Sequence, residues 1–259
     1  MIQVYRSLFL FGLCYLNLFS LGSCISKETN QKSSLQEEVS LPSLELERIK
    51  ESVWKHKSFG IVNGNIMPSN GLVVVTSRGI VLIDTAWGLE QTIELEKLIQ
   101  EKFKKEILFV VISHSHEDRS GGVPLFLKKG IPVYTSSRTG KLLSAKSMTG
   151  LRAVLDIQPR IPAGDQTVEV YFPGEGHTSD NIVVWLPDTH ILFGGCLVRP
   201  LDAKDMGNTK DANLGEWENS VKKVLARYPD AEVVVPGHGD WGKLDLLRHT
   251  IRLLVPANH

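Results

Sequence analysis

The sequence predicts an α/β protein with a sheet-based core and helices outside it. Strand-type runs of Val, Ile and Leu recur along the chain, and segments with helical spacing stand between some of them. The order is mixed: strands, helix, strand, helix, a strand-rich middle, then helix–strand–helix. Such an order suits sheets covered by helices.

The elements follow in turn. Leu72–Thr76 and Ile80–Asp84 read as two strands joined by the Ser77-Arg78-Gly79 turn. Leu89–Lys105 spaces Leu89, Ile93, Leu95, Leu98, Ile99 and Phe103 at helical intervals with charges between them. Ile107–Ile112 is a continuous apolar run of the kind a buried strand requires. Gly122–Lys129 reads as a short helix, Pro132–Thr135 as a strand and Arg138–Ala145 as a helix. Gln166–Phe172, Asn181–Leu186 and His190–Phe193 read as successive strands. Leu214–Arg227 is an amphipathic helix, Glu232–Pro236 a strand and Lys243–Leu254 a closing helix. No internal repeat is visible.

The 259 residues are 42% hydrophobic and 22% charged, enough to bury a sizeable core. Lys+Arg and Asp+Glu both number 29, so no basic field recruits nucleic acid. Arg6 precedes an apolar stretch, Leu8–Leu21, too short and interrupted for a good membrane span. It reads as the apolar part of an export signal. Leu21-Gly22-Ser23-Cys24 resembles a bacterial lipobox, which would make Cys24 a lipidated first residue and tether the chain to a membrane; ordinary secretion is the alternative. The expected organisation is a leader over 1–23, a Ser-, Lys-, Glu- and Gln-rich tether over 24–43 and one domain over 44–259. Of the three cysteines, only Cys196 belongs to the domain, so no disulfide forms within it. A lone thiol there is either a small buried hydrophobe or a functional group.

Val110–Gly122 reads VVISHSHEDRSGG, a strand that delivers His114, His116 and Asp118 at alternating positions. Alternating side chains share a face, so both imidazoles reach one point, and a tighter turn can aim the carboxylate beside them. Taken alone, this run is also what a solvated loop looks like. His177 sits in the Gly-rich loop Gly174–Asn181, Cys196 follows Gly194-Gly195, and His238 lies in Pro236-Gly237-His238-Gly239. Each follows an apolar run and sits among glycines, where a scaffold presents functional groups. Zinc takes this set of nitrogen, oxygen and sulfur donors.

These residues resemble the metallo-β-lactamase superfamily, specifically the di-zinc, cysteine-containing subclass of class B β-lactamases. The likeness runs from about Val62 to the C-terminus. Hydrolases of the glyoxalase II and nuclease type usually have a second histidine directly after the aspartate, where this chain has Arg119. They also have a bridging aspartate where it has Cys196. Ile83-Asp84-Thr85 resembles a strand-end segment that supports the ligands, and Asn70-Gly71-Leu72 the turn after an active-site flap spanning Phe59–Asn65. Gly207-Asn208 and Asp211-Ala212-Asn213 resemble the substrate loop, and Trp87 a floor residue beside the site.

The resemblance implies an αββα sandwich with two zinc ions at one edge. His114, His116 and His177 would hold the first, and Asp118, Cys196 and His238 the second. It implies hydrolysis of the lactam amide of penicillins, cephalosporins and carbapenems by zinc-bound hydroxide, with Asp118 orienting the nucleophile and Asn208 helping the oxyanion. Arg199 would bind the substrate carboxylate where many relatives have lysine, and Asp84 and Arg119 would hold the acidic and thiolate ligands in place. Plainer readings stand beside these: a surface charge for Arg199, turn chemistry for Asn208, a structural ion pair for Asp84 and Arg119. His56, His190, His249 and His259 read as structural or exposed. An exported chain of this kind would work in the periplasm as a monomer, conferring β-lactam resistance. The alternatives are an ester, thioester or other amide hydrolase of the same superfamily, or a non-catalytic zinc-binding protein.

Overall fold

The computed structural model describes residues 40–254; the leader, Cys24, most of the tether and His259 lie outside them. The first half builds a six-stranded sheet from β1 (Glu45–Lys50), β2 (Val53–Val62), β3 (Asn65–Val75), β4 (Ile80–Ile83), β5 (Ile107–Val111) and β6 (Val133–Tyr134), in that spatial order. β1 to β4 are antiparallel, while β5 and β6 join in parallel after helical crossovers. The second half builds a five-stranded sheet from β7 (Arg160–Ala163), β8 (Gln166–Tyr171), β9 (Val183–Leu186), β10 (Ile191–Gly195) and β11 (Val233–Pro236), in reverse spatial order. α1 (Gly88–Phe103), α2 (Glu117–Ser120), α3 (Val123–Lys128) and α4 (Ser137–Ala145) belong to the first half, α5 (Leu214–Arg227) and α6 (Asp245–Leu254) to the second. None of the helices described is long and apolar enough to cross a membrane.

Strand alternation sorts the core into three layers. Leu72, Val74, Val81, Ile83, Phe109 and Val111 point inward from the first sheet, meeting Val168, Val170, Val184, Ile191, Phe193 and Val235 from the second. Their neighbours Val73, Ile80, Leu82, Val110 and Ile112 point the other way, onto Leu95 and Ile99 of α1, Phe126 of α3 and Leu143 of α4. Val183, Leu192 and Val234 likewise meet Trp217, Val221 and Val224 of α5 and Leu246 of α6. The result is an αββα sandwich, and it explains why the strands read as unbroken apolar runs: both faces are covered. Ser136 and Asn213 cap α4 and α5 by accepting the N–H groups of Thr139 and Glu216.

Differences from the sequence reading have local causes. β1 and most of β2 escaped it because Lys, Glu and His interrupt the apolar pattern, and β7 because Pro162 reads as a breaker although it sits on an edge strand. Asn70-Gly71-Leu72 is no turn; it lies inside β3. The flap is a long β2–β3 hairpin in register from Val53↔Val74 to Val62↔Asn65. It turns at Asn63-Gly64, both with positive φ (49° and 77°), as a two-residue hairpin turn requires.

Phe193 is buried at the centre of the inter-sheet layer, on the strand that leads into Cys196. Phe193→Ala is expected to cost roughly 3–5 kcal/mol, read from the urea unfolding midpoint.

Candidate metal centre

Six side chains meet where strands of both sheets end. β5 finishes at Val111, and the chain stays irregular through His114 before the single turn of α2. His116 is extended at the head of that turn (φ −70°, ψ 154°), and the turn lifts Asp118 back beside the imidazoles. Simple strand alternation would not place this carboxylate; the helical turn does. His177 arrives on the loop between β8 and β9, Cys196 directly after β10, and His238 just after β11.

The donor atoms converge in two neighbouring groups. His116 Nδ1 lies 3.2 Å from both His114 Nε2 and His177 Nε2. His238 Nε2 lies 3.4 Å from Cys196 Sγ and 3.4 Å from Asp118 Oδ2, and the sulfur and that oxygen are 3.9 Å apart. Ligand atoms about 2.0–2.3 Å from one tetrahedral zinc stand roughly 3.3–3.6 Å apart, so these separations fit such an ion. His114 also lies in a compact donor group with Asp118 and His116, and in another with His177 and Cys196, so the two clusters are contiguous.

For His114, His116 and His238 the surrounding bonds select the tautomer that leaves the converging nitrogen free. His116 Nε2 donates to Asp211 Oδ2 at 2.9 Å, leaving the Nδ1 lone pair for the cluster. His238 Nδ1 donates to the Pro68 carbonyl at 2.6 Å, leaving Nε2. Ser113 Oγ donates to Asp84 Oδ2 at 2.7 Å and faces His114 Nδ1 at 3.3 Å, so it accepts that proton and frees His114 Nε2. Orienting contacts of this kind fix ring direction and ligand basicity in metal sites.

Arg119 organises the acidic side. It is completely buried, pairs with Asp118 Oδ2 at 2.8 Å and lies 3.8 Å from Asp84 Oδ2. It also donates to the carbonyls of Asn70 and Gly237, the latter at 2.7 Å. Gly237 has no room for a side chain: a Cβ would fall 2.6 Å from Cys196 Sγ and 2.9 Å from Arg119 Nη2. Burial opposes ionisation of Asp118, yet the Arg119 guanidinium, helped by His238, holds its carboxyl well below the usual range. Burial also opposes the charge on Arg119, and Asp118, Cys196 and Asp84 outweigh it. Asp84 is pushed up to about 7 by burial, against the pull of Arg119 and the Ser113 bonds. Burial brings His177 down to about 3 and keeps His114 well below its ordinary value, so both imidazoles stay neutral and available. Burial acts in the same direction on His238, but Cys196 and Asp118 outweigh it and take the ring up to about 10.

Other residues singled out from sequence sit at varying distances from this chemistry. Trp87 stacks edge-on against His238, ring centroids 6.5 Å apart. Arg199 is partly buried on the loop after Cys196, its Nε donating to Asp205 O at 3.1 Å and its head lying over Gly207. Asn208 is exposed, and its Oδ1 accepts the Lys210 N–H at 3.1 Å, which is turn chemistry. His56 is buried against Asp84 O, while His190 and His249 face the carbonyls of Asp230 and Ala203; none of these three belongs to the cluster. Sequence reading gave no individual role to Asp211, Ser113 or Pro68. Only their contacts reveal what they do, because a backbone carbonyl or an aspartate in a loop carries no motif.

Removing Arg119 would strand two buried carboxylates and two carbonyls. Arg119→Met is expected to destabilise the metal-free protein by roughly 3–5 kcal/mol in urea unfolding.

Comparison with known proteins agrees with this architecture. The family model described as the metallo-beta-lactamase superfamily matches residues 64–238. A Bacillus cereus protein named metallo-beta-lactamase type 2 is 41% identical over 212 residues, covering 82% of this chain and 83% of that protein. One of the same name from Elizabethkingia meningoseptica is 31% identical over 213 residues, covering 82% and 86%. The solved structure of a metallo-beta-lactamase from Pontibacter korlensis superposes with a TM-score of 0.79 at 45% identity, covering 82% of this chain and 99% of that one. With its six converging donors at the sheet ends, the chain belongs to the metallo-beta-lactamase superfamily.

Proposed function

We propose that this chain is a zinc-dependent β-lactamase that opens the lactam ring of penicillins, cephalosporins and carbapenems, and so confers resistance to them. The observation that carries the reading is the division of the six donors into a triad of imidazoles and a triad containing carboxylate and thiolate. His114, His116 and His177 would hold one zinc, and Asp118, Cys196 and His238 a second. Zinc at such a site supplies a Lewis acid that activates water near neutral pH and polarises the scissile carbonyl.

The chain's own residues do the rest. Asp118 is kept anionic by Arg119, which holds Oδ2. Its other oxygen, Oδ1, takes no part in that pair and orients the attacking water toward the lactam carbonyl. Arg199 binds the substrate carboxylate: its Nε is held by Asp205 O, and its terminal nitrogens exchange a long 4.0 Å ion pair with Asp205 Oδ1 for the substrate. Asn208, next to Gly207 under the Arg199 head, turns from its contact with Lys210 to donate to the developing oxyanion. The flap tip exposes Ile61, Val62, Ile66 and Met67, an apolar cover for the substituents of a bicyclic substrate.

The assay is direct. The zinc-loaded protein should hydrolyse a penicillin, a cephalosporin and a carbapenem, act poorly on a monobactam, and lose activity on chelation. Absence of chelator-sensitive turnover of any bicyclic β-lactam overturns the proposal.

We propose further that the protein is exported to the periplasm as a monomer and tethered there through lipidated Cys24. This rests on the Leu8–Leu21 stretch and the Leu21–Cys24 motif. Mass spectrometry of the mature N-terminus should find a diacylglyceryl group on Cys24; an unmodified start elsewhere excludes it.

A further inference from the structure

The base of the flap and the Asp118–Cys196–His238 group share one strip of chain. Pro68, Ser69 and Asn70 of β3 lie beyond the reach of β4, whose pairing with β3 begins at Leu72. Their free edge faces the metal centre instead. The Pro68 carbonyl accepts from His238 Nδ1 at 2.6 Å. Ser69 Oγ donates to the Asp118 carbonyl at 3.0 Å. The Asn70 N–H donates to Gly237 O at 2.8 Å, its side-chain amide to Pro236 O and Gly239 O at 3.0 and 2.7 Å, and its carbonyl accepts from Arg119.

This strip stays in place only if β2 holds it from the other side. In register, Phe59 faces Pro68. β1 stops pairing with β2 at Lys57, so the outer edge of Phe59 has no strand neighbour. Gln91, in the first turn of α1, fills that place. Its Oε1 accepts the Phe59 N–H at 2.8 Å and its Nε2 donates to the Phe59 carbonyl. One amide side chain thus imitates a strand at the position opposite Pro68. Both Gln91 and Phe59 are buried, so no water replaces these bonds cheaply. The Trp87 N–H, donating to Ser58 Oγ at 2.9 Å, adds a second anchor beside it.

We propose that Gln91 is a positioning residue for the Asp118–Cys196–His238 site. By pinning Phe59 it holds the Pro68 carbonyl against His238 Nδ1, and so fixes the ring direction and tautomer that present Nε2 to a metal. Without the pin, two buried backbone groups lose their partners and the β2–β3 pair shifts toward solvent at the hinge of the flap. The inference rests on His238 being a ligand of the second ion. It makes flap anchoring and second-site affinity one property rather than two.

Cobalt(II) titration of the purified full chain separates the sites. The thiolate-to-cobalt absorption reports the Cys196 site, and ligand-field bands report both sites. Gln91→Leu should weaken the thiolate-reporting site about tenfold, leave the imidazole site within about twofold, and leave most of the thermal stability intact. Gln91→Glu keeps the acceptor for the Phe59 N–H but loses the donor, so it should fall between; it also carries the test if Gln91→Leu does not fold. Cys196→Ser must abolish the thiolate band. Unchanged affinity at the thiolate site, or an equal loss at both sites, overturns the proposal. A wild-type protein that takes cobalt without a thiolate band refutes the ligand assignment itself, and with it this inference, and is distinguishable from both.

Discussion

Burying the Arg119 guanidinium is the constraint on which the rest of the site depends. A charge with no access to water needs counter-charges and acceptors on several sides. Asp118 supplies the close counter-charge, with Asp84 3.8 Å away, and the carbonyls of Asn70 in β3 and Gly237 after β11 supply acceptors. Meeting those demands at once draws together the middle of β3, the segment after β4, the turn of α2 and the loop after β11. The same contacts carry the donors Asp118 and His238, so the geometry of the candidate metal centre follows from satisfying one buried cation.

A sandwich of two covered sheets suits this. Each strand that supplies or supports a ligand is locked on both faces by apolar side chains, so the strand ends are rigid while the loops beyond them remain free to carry polar groups. The ligands arrive from four separate chain segments, and their orienting partners from still others: Asp211 for His116, Ser113 for His114, Pro68 for His238. Precision is therefore distributed. No single loop holds the site, and three of its four imidazoles are aimed by a neighbour remote in sequence or by the residue just before.

The division of charge between the two halves of the site has a chemical consequence. A dication held by the three imidazoles would keep more of its acidity than one held by the carboxylate and thiolate of the other group. Burial keeps His114 and His177 on the first side neutral, and the His238 ring by contrast is drawn toward its charged form by Cys196 and Asp118.

The sequence by itself determined the layers and the donors. Long apolar runs bounded by turns read as covered strands, and the helical spacing of α1 and α5 survives intact in the fold; His114, His116 and Asp118 were recognisable by their alternation at the end of such a run, and His177, Cys196 and His238 because each stands beside glycine after one. The polar-interrupted β1 and β2 and the proline-bearing β7 were not legible, because their pairing is dictated by neighbours rather than by their own composition. Only the tertiary structure decided how the donors are aimed. That decision belongs to backbone carbonyls, to the Gln91 amide and to the Arg119 charge, whose partners lie as many as 170 residues away in the chain, as Pro68 does from His238. Residue type and spacing encode what can bind a metal; hydrogen-bond direction, which depends on contacts between distant segments, fixes where it binds.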